Sequence, residues 1–203
     1  MLADLGLYQL AFALPTTTGN FGLKADYFGG SSYNELQLGL AYGRSLGKID
    51  VGAQFNYYML KVAGYGKAPS INFEAGMMLH VTEQFQTGIH IYNPLGSFIG
   101  KSREEKLPTI YSAGFGYDVS GKFFTGVEIQ KEENKNVTVN AGLQYAFAEK
   151  IFARMGISSA TSSFYLGAGF FWNGFRIDAT ASLHPYFGIT PGIMLVYNSP
   201  IKK

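Results

Sequence analysis

The sequence predicts an all-β fold, an antiparallel up-and-down transmembrane β-barrel with about 13 visible strands of an expected 14, from composition, residue alternation and turn signals. The 203-residue chain is 16% aromatic and only 15% charged, whereas about 25% of a typical soluble protein is charged. No stretch reaches the ~18 consecutive apolar residues of a membrane-spanning helix. Apolar residues instead occur in short runs such as Ala11 to Leu14, as a wall that is apolar on one face requires.

The strongest signal is an alternation of apolar with polar or small residues. Successive side chains of a strand point to opposite faces, and in a membrane barrel one face meets lipid while the other meets the lumen. Within 137–147, the odd positions are Val137, Val139, Ala141, Leu143, Tyr145 and Phe147, and the even positions include Thr138, Asn140 and Gln144. The ranges 49–59, 71–81 and 175–184 alternate in the same way. Because no segment carries an apolar stripe at helical spacing, we expect almost no helix.

This alternation and its interruptions predict thirteen strands. Their ranges are 3–14, 20–29, 34–46, 48–63, 70–82, 84–93, 107–119, 122–132, 136–148, 150–158, 163–172, 175–184 and 189–198. The apolar segment Leu5 to Leu14 resembles the core of a secretory signal, but no Lys or Arg precedes it and it alternates. We therefore interpret it as a strand and expect the export signal to be cleaved or to lie outside this sequence.

The connections predict an orientation in the membrane. Short turns are expected at 46–48, 82–84, 120–121, 148–150 and at Asn173-Gly174, a pair typical of type I′ hairpins. Longer connections are expected near 29–33, 64–69, 94–106, 132–135, 158–162 and 184–188. In outer-membrane barrels the short turns face the periplasm and the long loops face outward. The longest loop contains the charged residues Lys101, Arg103, Glu104, Glu105 and Lys106, where water is available.

Strand parity suggests that one strand is missing. Bacterial single-chain barrels usually have an even number of strands, so thirteen predicts a further N-terminal strand before Met1. We expect a single outer-membrane β-barrel domain over 1–203, in the bacterial outer membrane and in contact with its lipid.

Three segments resemble a known superfamily. They are Leu38 to Tyr58 (LGLAYGRSLGKIDVGAQFNYY), Thr87 to Gly96 (TGIHIYNPLG) and the closing hairpin from Tyr165 to Tyr197. They are similar to outer-membrane barrels of the long-chain fatty-acid transporter (FadL-like) superfamily, most of all to its Bacteroidetes branch with type IX secretion system barrels (PorV/PorQ-like). The resemblance implies fourteen strands, an N-terminal hatch that this sequence does not show, and either passage of hydrophobic molecules or a scaffold role in protein secretion.

Polar residues predicted to face the lumen are the candidate site residues. They are Lys24, Asp26, Asp50, Glu74, His80, His90, Glu128, Arg154, Arg176, Asp178 and His184. Unpaired buried charges are costly, so these residues either form a network that satisfies itself or line a polar channel. Lumen-side rings, including Tyr58, Phe124, Phe152, Tyr165 and Phe171, either cover neighbouring glycines or line a path for an apolar ligand.

Several classes of function are disfavoured. The net charge of +2 is too small to suggest a nucleic-acid partner, and without cysteine there is no disulfide framework or Cys-based metal site. The spacing of the three histidines does not require a metal site, and no cofactor is expected. Ser182 lies near His184, but no G-x-S-x-G nucleophile turn is present, so we do not expect an enzyme.

Three functional hypotheses remain. The first is a membrane barrel that binds or transports hydrophobic small molecules. The second is a non-enzymatic scaffold or anchor barrel that binds secretion-system or surface-attachment proteins. The third is a soluble β-sandwich or barrel whose apolar face forms a core, although the asymmetry between short turns and long loops disfavours it.

Overall fold

A computed structural model describes residues 5–100, 105–186 and 188–199. Its strands are Gly6–Pro15 (β1), Asn20–Gly29 (β2), Tyr33–Ser45 (β3), Ile49–Val62 (β4), Gly66–His80 (β5), Phe85–Tyr92 (β6), Phe98–Ile99 (β7), Glu105–Lys106 (β8), Ile110–Asp118 (β9), Phe123–Glu132 (β10), Val137–Ala148 (β11), Ile151–Ser158 (β12), Ser163–Trp172 (β13), Phe175–His184 (β14) and Gly188–Tyr197 (β15). Among the described residues, no helix is long and apolar enough to cross a membrane.

Thirteen strands form one sheet in the order β1-β2-β3-β4-β5-β6-β9-β10-β11-β12-β13-β14-β15, so each strand lies beside its neighbours in the sequence. Strands β7 and β8 form a separate two-stranded sheet. All thirteen predicted strands are present, and the antiparallel up-and-down prediction is confirmed. The predicted first strand began at Ala3, and its first residues lie outside the described part of the chain, as do Lys101, Arg103 and Glu104 of the predicted charged loop.

Two compact units are distinguished by their internal contacts. The first comprises Met1–His80, Gly88–Ser112 and Glu132–Lys135, and the second comprises Val81–Thr87, Ala113–Lys131 and Asn136–Lys203. In both units the burial pattern is the reverse of that in a water-soluble sheet. In the first, Leu40 is 57% exposed while Asn56 is fully buried; in the second, Leu166 is 49% exposed while Asp178 is 1% exposed. Each unit therefore has an exposed apolar face and a shielded polar face.

This arrangement contradicts the soluble-sandwich hypothesis. Two stacked sheets in water would bury their apolar faces against each other, whereas here the large apolar side chains are the exposed ones. An apolar wall facing outward is what lipid contact requires.

The polar face of the first unit is concave. The Tyr92 hydroxyl on β6 donates to Gln37 Oε1 on β3 at 3.2 Å. Three strand spacings separate these strands in the sheet order, which is about 14 Å in a flat sheet. A side chain on each strand can bridge that gap only because the intervening strands β4 and β5 curve away from the polar face.

The connections differ from prediction in length. Asn173 and Gly174 both have positive φ (45° and 82°), as the predicted type I′ turn requires. Several connections predicted to be long are short, however. Residues 30–32 alone join β2 to β3, and residues 63–65 alone join β4 to β5. Only the connection between β6 and β9 is long within the described residues.

Strand β5 begins at Gly66, earlier than the predicted start at 70, although Pro69 lies within it. Pro69 pairs with Met59 on β4, and its carbonyl accepts the Gly100 N–H on the opposite side at 2.9 Å. The nitrogen and carbonyl of a strand residue point to the same side. Pro69 therefore turns its missing N–H away from β4, and the β4–β5 ladder continues past it.

The long connection between β6 and β9, which belongs to the first unit, is anchored by Asn93. This residue is fully buried with a φ of 51°, and its Nδ2 donates to the Leu107 carbonyl at 2.8 Å. The Thr109 hydroxyl donates to the Asn93 carbonyl at 2.9 Å, and the Ser70 hydroxyl donates to the Phe98 carbonyl at 2.7 Å. The residues of this connection that the structure describes are thus held in place by hydrogen bonds, while Glu105 and Lys106 are exposed.

Gly169 is required by close packing on the polar face of the second unit. A Cβ at this position would lie 2.0 Å from Phe152 Cζ and 2.4 Å from Asp178 Oδ1. The Phe152 ring is 2% exposed because it covers this glycine, as one interpretation of the lumen-side rings predicts. Phe124 likewise lies over Gly116, where a Cβ would be 2.9 Å from its Cζ.

We therefore expect Gly169→Ala to lower the free energy of unfolding by about 1–3 kcal/mol through overpacking. Gly43→Ala is the matched control, because its nearest neighbour would be a backbone oxygen at 3.5 Å. Urea titration of the lipid-reconstituted protein, followed by fluorescence of the single tryptophan Trp172, measures both. Partial recovery is expected when Phe152→Leu is combined with Gly169→Ala, and equal effects of the two glycine substitutions would contradict this explanation.

Candidate functional site

A network of side chains occupies the polar face of the first unit, and we call it the amide network. Its members are Gln37, Gln54, Asn56, Asn72, Glu74, His90 and Tyr92. They are brought together because β3, β4 and β5 pair so that Gln54 lies opposite Glu74 and Asn56 opposite Asn72. Strand alternation then directs all of them to one face.

Glu74 is the centre of the amide network. Its Oε1 accepts hydrogen bonds from Asn56 Nδ2 at 2.7 Å and from Gln54 Nε2 at 3.0 Å, and its Oε2 lies 2.9 Å from His90 Nε2. Asn56 Nδ2 also donates to Asn72 Oδ1 at 2.9 Å. The carboxylate is thus held by two amide donors on one oxygen and by the His90 ring nitrogen on the other.

The amide network continues across the concave surface through Tyr92. Asn72 Nδ2 donates to the Tyr92 hydroxyl at 3.1 Å, and that hydroxyl donates to Gln37 Oε1. Gly39 leaves room for these amides, since a Cβ there would lie 2.7 Å from Gln54 Nε2. The network is well bonded internally, which makes it a rigid polar lining.

A second group lies on the polar face of the second unit, and we call it the arginine–aspartate cluster. Its members are Gln144, Phe152, Arg154, Arg176 and Asp178. Asp178 Oδ2 lies 3.3 Å from Arg154 Nη1 and 3.2 Å from Arg176 Nε. The Arg154 contact is a hydrogen bond, whereas Arg176 Nε makes an ion pair without hydrogen-bond geometry.

Arg154 is fixed from three sides. Its Nε donates to Gln144 Oε1 at 2.7 Å, its guanidinium carbon lies 4.5 Å from the centroid of the Phe152 ring, and Asp178 neutralises part of its charge. Two guanidinium groups against one carboxylate leave the cluster with an excess positive charge.

Three aromatic rings on this polar face remain partly exposed. Phe124 is 36% exposed, Phe171 is 40% exposed and Tyr165 is 43% exposed. The Phe171 ring packs on Phe152 with centroids 5.4 Å apart, which connects it to the arginine–aspartate cluster. Apolar rings and hydrogen-bond donors therefore lie side by side on a surface that is otherwise polar.

The other predicted site residues form separate local pairs. Lys24 Nζ lies 2.7 Å from Asp26 Oδ2, His80 Nε2 lies 2.8 Å from Asp50 Oδ2, and Asn140 Nδ2 donates to Glu128 Oε2 at 3.1 Å. His184 Nδ1 accepts the backbone N–H of Tyr186 at 3.1 Å. Each of these residues thus has a local partner, while the lumen-facing role of all eleven residues stays a prediction.

The three histidines contact different partners: an aspartate for His80, a glutamate for His90 and the backbone N–H of Tyr186 for His184. Among the described residues, no group of three or more His, Asp or Glu side chains is arranged to hold a metal ion.

Sequence reasoning missed most of the amide network. Alternation places Gln54, Asn56 and Asn72 on the polar face, but the candidate site residues are all ionisable, so these neutral amides are not among them. The useful signal was the register: once Gln54 lies opposite Glu74, Asn56 must lie opposite Asn72. Neutral amides that face each other on adjacent strands predict a hydrogen-bonded ladder.

Comparisons with known proteins support the fold class. No protein-family model and no curated protein sequence matches this chain. Among solved structures, the Pseudomonas putida toluene transporter TodX is similar with a TM-score of 0.61 and 9% identity, over 88% of this chain and 80% of that chain. A mutant of Rh. blastica porin aligns with 10% identity over 93% of this chain and 88% of that one, but its TM-score of 0.46 supports no inference about fold.

The fold is therefore that of an outer-membrane β-barrel. This conclusion rests on the TodX likeness, the all-antiparallel neighbour order and the exposed apolar face. The Bacteroidetes branch and the PorV/PorQ-like resemblance remain predictions.

Proposed function

We propose that this protein lies in the bacterial outer membrane and binds or transports hydrophobic small molecules. The observation that carries the proposal is the exposure of Phe124, Tyr165 and Phe171 on the polar face of the second unit. Water-facing surfaces rarely leave several aromatic rings uncovered without an interaction for them. The similar fold of TodX, a toluene transporter, supports the same class of ligand.

The neighbouring charges suit a ligand site of this kind. Binding sites for small molecules combine mostly apolar walls with a few placed polar groups. Here Arg154 lies against the Phe152 ring, and Phe152 in turn packs on Phe171. A ligand on these rings would lie beside fixed hydrogen-bond donors.

Uptake into liposomes tests this function. Liposomes containing the full-length protein should accumulate labelled toluene or a labelled long-chain fatty acid several-fold faster than protein-free liposomes. The double variant Tyr165→Ala/Phe171→Ala should return uptake towards background because it removes two of the rings. Tyr65→Ala is the control, since Tyr65 is 92% exposed in the β4–β5 turn and should have no effect.

The scaffold hypothesis predicts a different result. A barrel that only anchors secretion or surface-attachment proteins would show no uptake of either probe by folded full-length protein. That outcome would overturn the transport proposal.

A further inference from the structure

An open groove lies on the exposed apolar face of the first unit, opposite the amide network. Its volume is about 310 Å³, at the lower end of the ~300–1,000 Å³ range of small-molecule sites. Its lining includes Phe21, Leu40, Tyr42, Ala53, Phe55 and Phe73. The register places these residues in two adjacent rows across β2, β3, β4 and β5.

The groove exists because a small residue is surrounded by large ones. Ala53 lies opposite Tyr42, one row from the neighbouring pair Leu40 and Phe55. The alanine forms a low floor, and the rings on both sides form walls. The shape therefore follows from side-chain size within a regular ladder.

One wall is held in place by polar and aromatic contacts. The Tyr42 hydroxyl donates to the Thr18 carbonyl at 2.9 Å, and the Tyr42 ring lies 5.1 Å from the Phe21 ring, measured between centroids. These two contacts hold the Tyr42 ring in place, so it does not need a ligand to keep its position in the groove wall.

An exposed cation, Arg44, lies opposite Val51, one row beyond the Tyr42 and Ala53 pair of the groove. Arg44 follows Tyr42 by two residues, so both side chains lie on the apolar face of β3. Arg44 is exposed and forms no salt bridge with any described residue. An arginine on a lipid-facing surface is costly near the bilayer centre but tolerated near the interface, and Arg44 is the second-last residue of its strand.

We infer that this groove is a specific phospholipid site, in which one acyl chain occupies the groove and the anionic phosphate binds Arg44. The apolar walls match a hydrocarbon chain, and the exposed guanidinium matches a phosphate, with which it forms paired hydrogen bonds. The order along β3 also matches a lipid, because the charged group lies at the strand end and the groove lies deeper. The site is separate from the polar-face surface of the proposed function and does not depend on transport.

Quenching by brominated lipids tests the site. A Trp172→Phe/Phe55→Trp protein carries its only tryptophan at the groove, and it is reconstituted with brominated phosphatidylglycerol or brominated phosphatidylcholine. The measured quantity is the affinity for phosphatidylglycerol relative to phosphatidylcholine, called the affinity ratio. A basic residue near the membrane surface should raise this affinity ratio to about five. Arg44→Gln should reduce the ratio towards one, whereas Arg44→Lys should keep most of it.

Two further variants make the result specific. Lys67→Gln removes an exposed cation near the start of β5, far along the strand from Met77, which lies in the same row as Arg44. This variant should leave the ratio unchanged. Ala53→Leu raises the groove floor and should lower the ratio without changing the folded fraction, which is checked by heat-dependent migration in SDS gels.

The inference is overturned if the single-tryptophan protein that keeps Arg44 has an affinity ratio of one. It is overturned equally if Arg44→Gln and Lys67→Gln lower the ratio by the same amount. It is also overturned if dodecane displaces the brominated phosphatidylglycerol while Arg44→Gln binds that lipid normally. That last result would assign the groove to an apolar solute instead of a phospholipid.

Discussion

Replacing Leu166 by arginine should destabilise the protein in a bilayer by about 2–4 kcal/mol, the cost of a lipid-facing arginine near the membrane midplane. Leu166 lies near the middle of β13, opposite Met155 on one side and Ala181 on the other, on the apolar face. It is 49% exposed. In a soluble protein, replacing an exposed leucine of this kind by arginine would change stability by about 0.5 kcal/mol or less. The size of the loss therefore shows whether Leu166 faces hydrocarbon or water.

Leu95→Arg provides the matched control. Leu95 is 76% exposed but lies in the β6–β9 connection rather than in a sheet strand. The same substitution there should change stability little, because the new charge meets water. Urea titrations of both variants in vesicles, monitored through Trp172, measure the difference.

If Leu166→Arg and Leu95→Arg cost the same, the apolar face does not meet hydrocarbon. A protein that stays soluble and folded without detergent would contradict the same claim by an independent route.

Alternation along the strands was sufficient to predict the thirteen-stranded sheet. A period of two assigns every residue of a strand to a face, and long segments such as Val137–Ala148 repeat it many times. The Asn173-Gly174 turn was equally predictable, since few residue pairs adopt two successive positive φ values. These features depend on local sequence only.

The parts that failed depend on contacts between distant segments. Pro69 marks a break in most strands, yet β5 runs through it because its nitrogen faces away from β4. The sequence assigns Asn93 to the end of a strand, yet it lies just beyond β6, fully buried and hydrogen-bonded to the Leu107 carbonyl. Neither the partner of a carbonyl nor the burial of an asparagine can be deduced from its neighbours in sequence.

The candidate site shows the same division. Alternation placed Arg154, Arg176 and Asp178 on one face, but their convergence requires the register of three strands. It also requires glycine at 169, between Phe152 and Asp178, where any side chain would separate the groups. Selection by charge includes these three residues and overlooks the neutral amides of the first unit.

Asp178→Asn should lower stability by about 2–4 kcal/mol, because it leaves two guanidinium groups without their shared counter-charge. Asp178 is 1% exposed, while the side chains of Arg154 and Arg176 are 36% and 26% exposed. Water therefore offsets part of the free-energy cost of leaving these two charges unpaired. The substitution is nearly isosteric and therefore tests charge and not volume. Asp50→Asn is the control, since Asp50 and His80 are each 42% exposed and an exposed pair of this kind contributes little to stability.

Combining Asp178→Asn with Arg176→Met should recover part of the loss, because it removes one of the uncompensated charges. The measurement is urea unfolding in vesicles at neutral pH, followed by the fluorescence of Trp172. This residue lies on β13, the same strand as Gly169, which packs against Asp178. Recovery by Arg176→Met would show that Asp178 acts by neutralising the arginines. Additive losses in the double variant would show instead that each side chain contributes through packing, and the arginine–aspartate cluster would then be part of the wall and not a charged surface available to a ligand.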